Sequence, residues 1–409
     1  MRGIYGVVDG RIEHGTGVWR LTKLGRPGAC RRMYEECRME TANPLDRYSL
    51  VRTREWRNVT LKTLREEIIP ADRPAVMKGL VNDWPVVRAA AASSEALSEY
   101  IRARDHGRPV RVMVGKPQIR GVYFFRDDLS GLNFERAFRP VHEILASILS
   151  YRDQPDSPSL YTGATELEDT LPEMARECSL SILDRAAKPR MWLGNAVTAA
   201  THYDNQDGIN CMVAGRKRFT FFPPDQLENL YIGPLELGPG GQPTSLVKIS
   251  APDFGRFPRF EQALTTAETC DVEPGDAIFI PNLWWHNVEA LEPVNLSVNF
   301  WWFDAVEDWG AEPFAALVHG LLALSDLPES RRDTWRMMFD HYVFRTGGDP
   351  VPYLPPDRRG MLGELTPPLQ DHMRVQLIRS LTKGLAPALG EPIRRLLWEA
   401  SVRQRGVLQ

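Results

Sequence analysis

Cysteine is scarce in this 409-residue chain: Cys30, Cys37, Cys178, Cys211 and Cys270 are odd in number, scattered, and form no C-x-x-C pair. That excludes a disulfide framework and fits a reducing compartment. Long apolar runs are lacking as well. None approaches the roughly 18 residues needed to span a bilayer. The opening Met1-Arg2-Gly3-Ile4-Tyr5-Gly6 shows no signal-peptide core of about 7–15 apolar residues. A cytoplasmic protein with no membrane partner is the expectation. Neither sign of charge is in excess: a formal net charge of −3 carries no polyanion-binding signature, so no nucleic-acid partner is expected. Lysine is the last scarcity, with 8 residues against 42 arginines.

What is present is apolar and long enough for more than one unit. Hydrophobic residues make up 43% of the chain and include 11 Trp, ample for a sizeable core. Residues 1–44 are Gly- and Arg-rich with little periodicity and read as a tail, with Met39 as an alternative start. Residues 45–305 form a β-rich domain with an α/β opening. Helical spacing is seen over Leu61–Leu64, Ala89–Ile101, Val141–Tyr151 and Leu171–Leu183, and strands over Val110–Val114 and Val122–Phe125. Two long connections, Tyr231–Gln242 and Ala251–Ala263, are rich in Gly, Pro or Phe and are expected to shape a substrate mouth. After Asp304 the texture turns helical, over Ala311–Leu324, Glu329–Phe344, Asp371–Lys383 and Glu391–Val402.

Chemistry concentrates between 190 and 303. His202-Tyr203-Asp204 is answered by His286 inside Pro281-Asn282-Leu283-Trp284-Trp285-His286. Two imidazoles and a carboxylate can hold one face of an octahedral metal and leave three positions open, as in non-haem Fe(II) oxygenases. On a strand, residues 202 and 204 would share a face while Tyr203 points away. Lys217, between two arginines, follows a Gly turn and opens an apolar strand that stops at Pro223-Pro224. A slim ammonium can reach a carboxylate where a guanidinium fork would not fit. Glu273-Pro274-Gly275-Asp276 reads as a tight turn delivering the Trp-Trp-His strand. Val294 to Trp301 alternates, with Val294, Leu296, Val298 and Phe300 on one face and Asn295, Ser297, Asn299 and Trp301 on the other. That suits a strand lining a wet barrel.

These stretches, in this order, resemble the cupin-like JmjC group of Fe(II)/2-oxoglutarate oxygenases, and within it the asparaginyl hydroxylases of the hypoxia pathway. The matching segments are Thr201–Asp204, Lys217 with Phe222–Gln226, Pro274–Asp276, Ile280-Pro281 with Trp284–His286, and Val298–Trp301. Pro74–Leu80 with Asp83-Trp84-Pro85 is similar to the family's opening strand and turn. The resemblance implies a double-stranded β-helix of jelly-roll type, with N-terminal α/β decoration and a C-terminal helical module over 306–409 that forms a homodimer. It implies iron on His202, Asp204 and His286. It also implies 2-oxoglutarate as cosubstrate with O₂, Lys217 on its distal carboxylate, and Thr201, Tyr161, Asn299 and Trp301 around it. Two positions depart from the asparaginyl hydroxylases: Ala199 stands for a cosubstrate-binding Thr and Gly208 for an Asn. The expected reaction is hydroxylation of a C–H bond, on a protein side chain or else a small molecule, with release of succinate and CO₂. An N-methyl demethylase is the alternative within the class, and a catalytically silent cupin scaffold the alternative outside it.

Overall fold

Eight short segments between residues 189 and 302, each rich in β-branched and aromatic residues and punctuated by Gly or Pro, form the strands of a double-stranded β-helix. In the computed structural model the described residues are 48–303, without Pro155, Arg185 and Ala186, and 313–382, together with Leu45, Pro392 and Arg395. Three short N-terminal strands, Val7–Val8, Arg11–His14 and Gly17–Arg20, are also described and form an antiparallel sheet. The rest of the expected tail, with Met39, Cys30 and Cys37, lies outside the described residues, as does nearly all of the helix expected over Glu391–Val402. The chain divides into two compact units, Met1–Asp304 and Ala305–Gln409.

The larger sheet has nine strands. In order they are Arg54–Arg57, Ala75–Lys78, Ala277–Ile280, Asp207–Ala214, Asn295–Trp302, Pro189–Gly194, Ser159–Glu166, Val110–Gly115 and Glu135–Arg139. The smaller sheet runs Val51–Arg52, Glu268–Val272, Lys217–Phe222, Trp285–Ala290, Thr198–His202 and Val122–Tyr123. Between residues 189 and 302 the chain passes repeatedly from one sheet to the other, so residues far apart in sequence face one cavity. Leu296, Val298 and Phe300 turn outward into the main core with Met191, Leu193, Ile209 and Cys211. Burying each such side chain is worth roughly 1.5–3 kcal/mol, which fixes the register: a slip of one residue would send Asn295, Ser297 and Asn299 into that core. Gly215 makes the turn before Lys217 at φ +75, where a Cβ would sit 2.3 Å from the Val294 carbonyl oxygen. Only glycine fits both conditions.

Several local expectations change. The helix expected over Ala89–Ile101 is two helices, Pro85–Ala92 and Ser94–Arg104. Ser93 is extended between them, and its hydroxyl accepts from the Ala96 N–H at 3.0 Å. A serine N-cap outcompetes continuation. The run Leu171–Leu183 is helical only over Pro172–Glu177. The strand expected over Val122–Phe125 ends at Tyr123. Ala251–Ala263 is not an open aromatic loop: Phe257 and Phe260 are buried with Phe222, Leu230, Val247, Ile249 and Trp285, and a helix begins at Phe260. Those rings pack beneath the smaller sheet and do not line the cavity beside His202 and His286. Cys178, Cys211 and Cys270 are buried free thiols. No described helix is long and apolar enough to cross a membrane.

The second unit holds helices Pro313–Leu324, Glu329–Tyr342 and Pro367–Thr382. Many of their apolar residues are exposed, Leu322 by 77%.

Candidate metal centre

His202 ends its strand in the smaller sheet and pairs directly with His286 on the neighbouring strand. The two imidazole centroids are 4.4 Å apart. Asp204 is not on the strand, contrary to the expectation from H-x-D spacing. The strand stops at His202, and the Asp204 carbonyl instead accepts from the Leu283 N–H at 2.9 Å, in the turn that leads to His286. The carboxylate reaches the two rings because the chain bends after His202, and Tyr203 packs edge-on against Trp285. One ligand atom from each of His202, Asp204 and His286 can be chosen so that all lie within 4.8 Å of one another.

The protonation pattern suits a cation. His202 Nδ1 lies 2.7 Å from the Ala200 carbonyl oxygen and His286 Nδ1 lies 2.9 Å from that of Trp284. A carbonyl only accepts, so both Nδ1 atoms carry the proton and both Nε2 lone pairs face the cluster. Burial, and then the neighbouring imidazole of His202, push the His286 pKa down to about 4, so His286 is neutral near pH 7 and ready to ligate. The Asp204 carboxylate is held by Trp301 Nε1 at 3.1 Å and by the Gln242 amide at 3.4 Å.

Beside the cluster lies a cavity lined by Tyr161, Lys217, Asn210, Asn299, Trp192 and Trp301, among others. Lys217 is 5% exposed. Its ammonium donates to the Ser297 hydroxyl at 2.6 Å and has no carboxylate partner among the described residues. Burial lowers its pKa to about 7. Asn210 Oδ1 and Asn299 Oδ1 are buried without a hydrogen-bond partner. Buried polar atoms left unpaired are costly and mark a place where a ligand completes the bonding. The donor set fits a divalent metal, and the buried ammonium fits a small carboxylate beside it, while the two amide oxygens call for a donor, such as water or a ligand N–H or O–H. Burial also raises the Tyr161 phenol, which keeps it a neutral hydrogen-bond donor.

Of the residues singled out in the sequence, His202, Asp204, His286, Lys217, Tyr161, Asn299 and Trp301 come together around this cavity. Thr201 does not line it. It points the other way from His202, is 1% exposed, and its hydroxyl has no partner. Ala199 lines the cavity without a hydroxyl to offer. Gly208 has a positive reason: it pairs directly with Trp301, and a Cβ there would meet Trp301 Cδ1 at 2.8 Å. The missing side chain is the room the indole needs to reach Asp204. Sequence reasoning missed Arg111, Tyr123, Trp192, Asn210 and Gln242, all of which line the cavity. Asn210 could have been found by strand alternation two residues from Gly208; a lone Arg111 carries no such signal.

Comparison with known proteins places these residues in context. The family model described as a cupin-like domain matches residues 61–308. Mouse tRNA wybutosine-synthesizing protein 5 is 34% identical over 147 residues, 32% of this chain and 44% of that protein. Lysine-specific demethylase 8 of Xenopus tropicalis is 25% identical over 251 residues, 59% of this chain and 51% of that protein. Human HSPB1-associated protein 1 is 26% identical over 290 residues, 66% of this chain and 56% of that protein. The chain thus spans about half the length of these curated relatives.

Proposed function

Because the chain belongs to the cupin-like domain family, of JmjC type and 2-oxoglutarate-oxygenase kind, we propose that it is an Fe(II)- and 2-oxoglutarate-dependent hydroxylase of a protein side chain. The observation that carries the reading is the pairing of two features in one cavity. One is a His202–Asp204–His286 cluster with both Nε2 atoms free; the other is a buried lysine with no carboxylate of its own.

When bound, iron with 2-oxoglutarate and O₂ supplies an oxidant that turns a C–H into C–OH, while the 2-oxo acid leaves as succinate and CO₂. The protein's own part is positioning. His202 and His286 offer neutral nitrogens whose tautomer is set by backbone carbonyls, and Asp204 offers charge, oriented by Trp301 and Gln242. With only three protein ligands, a bound metal would stay open to small-molecule ligands. Lys217, charged once a carboxylate sits opposite it, fixes the far end of the 2-oxo acid. Tyr161, Trp192 and Trp301 wall the cavity with rings whose O–H and N–H protons stay in place near pH 7. No general base is needed, and none is assigned.

Removal of a methyl group from nitrogen is the same C–H step followed by collapse of a hydroxymethylamine. Similarity to a protein named lysine-specific demethylase 8 supports that second reading. The complete metal-ligand set and Lys217 weigh against a silent scaffold. Residues 306–409 are assigned to homodimerisation, supported by exposed Leu317, Leu321, Leu322, Trp335 and Met338. Anaerobic titration of the Fe(II)-loaded protein with 2-oxoglutarate tests the site. A weak visible charge-transfer band that saturates is expected; its absence at full iron occupancy contradicts the reading.

A further inference from the structure

The nine-stranded sheet continues past the cavity. Beyond Tyr161 its last two strands, Val110–Gly115 and Glu135–Arg139, carry the same face outward. Arg111 and Met113 line the cavity. In the antiparallel register Arg111 pairs with Phe138 and Met113 with Arg136. Directly paired residues point to one side of a sheet, so Arg136 and Phe138 extend the cavity wall as an open shelf.

The shelf has unmet chemistry. Phe138 is 70% exposed. Arg111 and Arg136 are both exposed. The neighbouring Arg108 and Arg190 are paired with Asp169 and Glu166, whereas Arg111 and Arg136 have no carboxylate partner among the described residues. Arg136 lies instead over the Phe134 ring, 5.8 Å from its centroid. Glu135–Arg139 is the outermost strand, so one row of its N–H and C=O groups has no ladder partner among the described residues. Such an edge is a template for an added strand.

We propose that this shelf receives an extended acidic peptide. The peptide adds along Glu135–Arg139 and sets carboxylates against Arg136 and Arg111, and a residue further along it turns over the sheet face into the cavity. The inference deepens the oxygenase reading and rests on it for what happens to the peptide, but not for its binding. A small free acid would meet Arg111 and leave Arg136, Phe138 and the strand edge unused. A nucleic-acid strand would satisfy the arginines but cannot complete a peptide ladder, and the chain's net charge of −3 gives a polyanion no wider field.

The test is fluorescence anisotropy on full-length protein loaded with Mn(II) and 2-oxoglutarate. The probes are a labelled peptide of alternating Glu and Thr, its Gln–Thr counterpart, an alternately N-methylated Glu–Thr peptide, and a single-stranded oligonucleotide. The Glu peptide is expected to bind about tenfold tighter than the Gln peptide, with the difference shrinking as salt rises. Arg111→Gln should remove most of that preference and Arg136→Gln about threefold of it. N-methylation should abolish binding. Equal binding of the Glu and Gln peptides overturns the proposal, as does a preference that survives both substitutions. So does undiminished binding of the N-methylated peptide, or binding of the oligonucleotide alone. Wild-type protein that consumes 2-oxoglutarate but binds no acidic peptide refutes only this inference. Protein that binds the peptide but never consumes 2-oxoglutarate refutes the oxygenase reading and leaves the shelf standing.

Discussion

Replacing Lys217 by Met separates what the lysine costs the fold from what it does for the ligand. Burial takes its pKa from the ordinary 10.5 to about 7. At about 1.4 kcal/mol per tenfold in proton affinity, the charged form is disfavoured by up to roughly 5 kcal/mol. Methionine keeps the length of the stem and removes the charge. Against that gain stands the Ser297 hydroxyl, which loses its 2.6 Å donor in a fully buried position and costs about 1–3 kcal/mol. The gain wins: without ligand, Lys217→Met should be more stable than wild type by about 2 kcal/mol at pH 7. The sign with pH follows from a depressed lysine. The penalty is fully present below about pH 7 and fades as pH rises toward the unfolded value near 10.4, so the advantage of Met should shrink between pH 6.5 and 9.5. Adding 2-oxoglutarate should reverse the order, because only wild type gains stability from a carboxylate opposite the ammonium. Urea unfolding at the two pH values, with and without 2-oxoglutarate and Mn(II), measures all of this. A ligand-free Lys217→Met that is less stable than wild type at pH 7, or an advantage independent of pH, would refute the reasoning.

Four further outcomes are expected. Asp204→Ala should purify with little iron yet unfold cooperatively within a few degrees of wild type, as read by elemental analysis and calorimetry; wild-type iron content in that variant would remove Asp204 from the ligand set. Gly208→Ala should push Trp301 off Asp204 and weaken Fe(II) binding about tenfold, the scale for partners that orient a ligand, and metal titration followed by tryptophan fluorescence reads it; unchanged affinity would sever that link. Thr201→Val should leave 2-oxoglutarate affinity unchanged and stability equal or higher, since its buried hydroxyl has no partner; a marked loss of affinity would return Thr201 to the cosubstrate site. Full-length protein should run as a dimer in light scattering at micromolar concentration, and a monomer there would contradict the role given to residues 306–409.

The barrel was legible because its signals are local and repeated. Gly215 and Pro223-Pro224 bound the Lys217 strand, and the alternation from Val294 to Trp301 sends Leu296, Val298 and Phe300 to the core and Asn299 and Trp301 to the cavity, as the structure has it. His202 and His286 were legible from order and spacing. Asp204 was found for a reason that does not hold: proximity comes from the bend after the strand, held by Leu283, and not from strand alternation. The Phe-rich connection misled because proline and glycine in sequence suggest exposure, while Phe257 and Phe260 are buried by residues distant in sequence, such as Phe222 and Leu45. Gly208 looked like a lost contact because its compensation, Trp301, sits across a strand pair that sequence order does not announce. Arg111 was invisible for the same reason. Its meaning comes from neighbours on other strands.

In the proposed reaction this cavity couples iron to oxidative decarboxylation of a 2-oxo acid. The most direct measurement is succinate formed from 2-oxoglutarate by full-length protein in air, with Fe(II) and with iron removed by a chelator, without any prime substrate. A slow release of succinate that requires Fe(II) and O₂ and is lost in Asp204→Ala is the expected result. No succinate above background from protein shown to hold both iron and 2-oxoglutarate would contradict it.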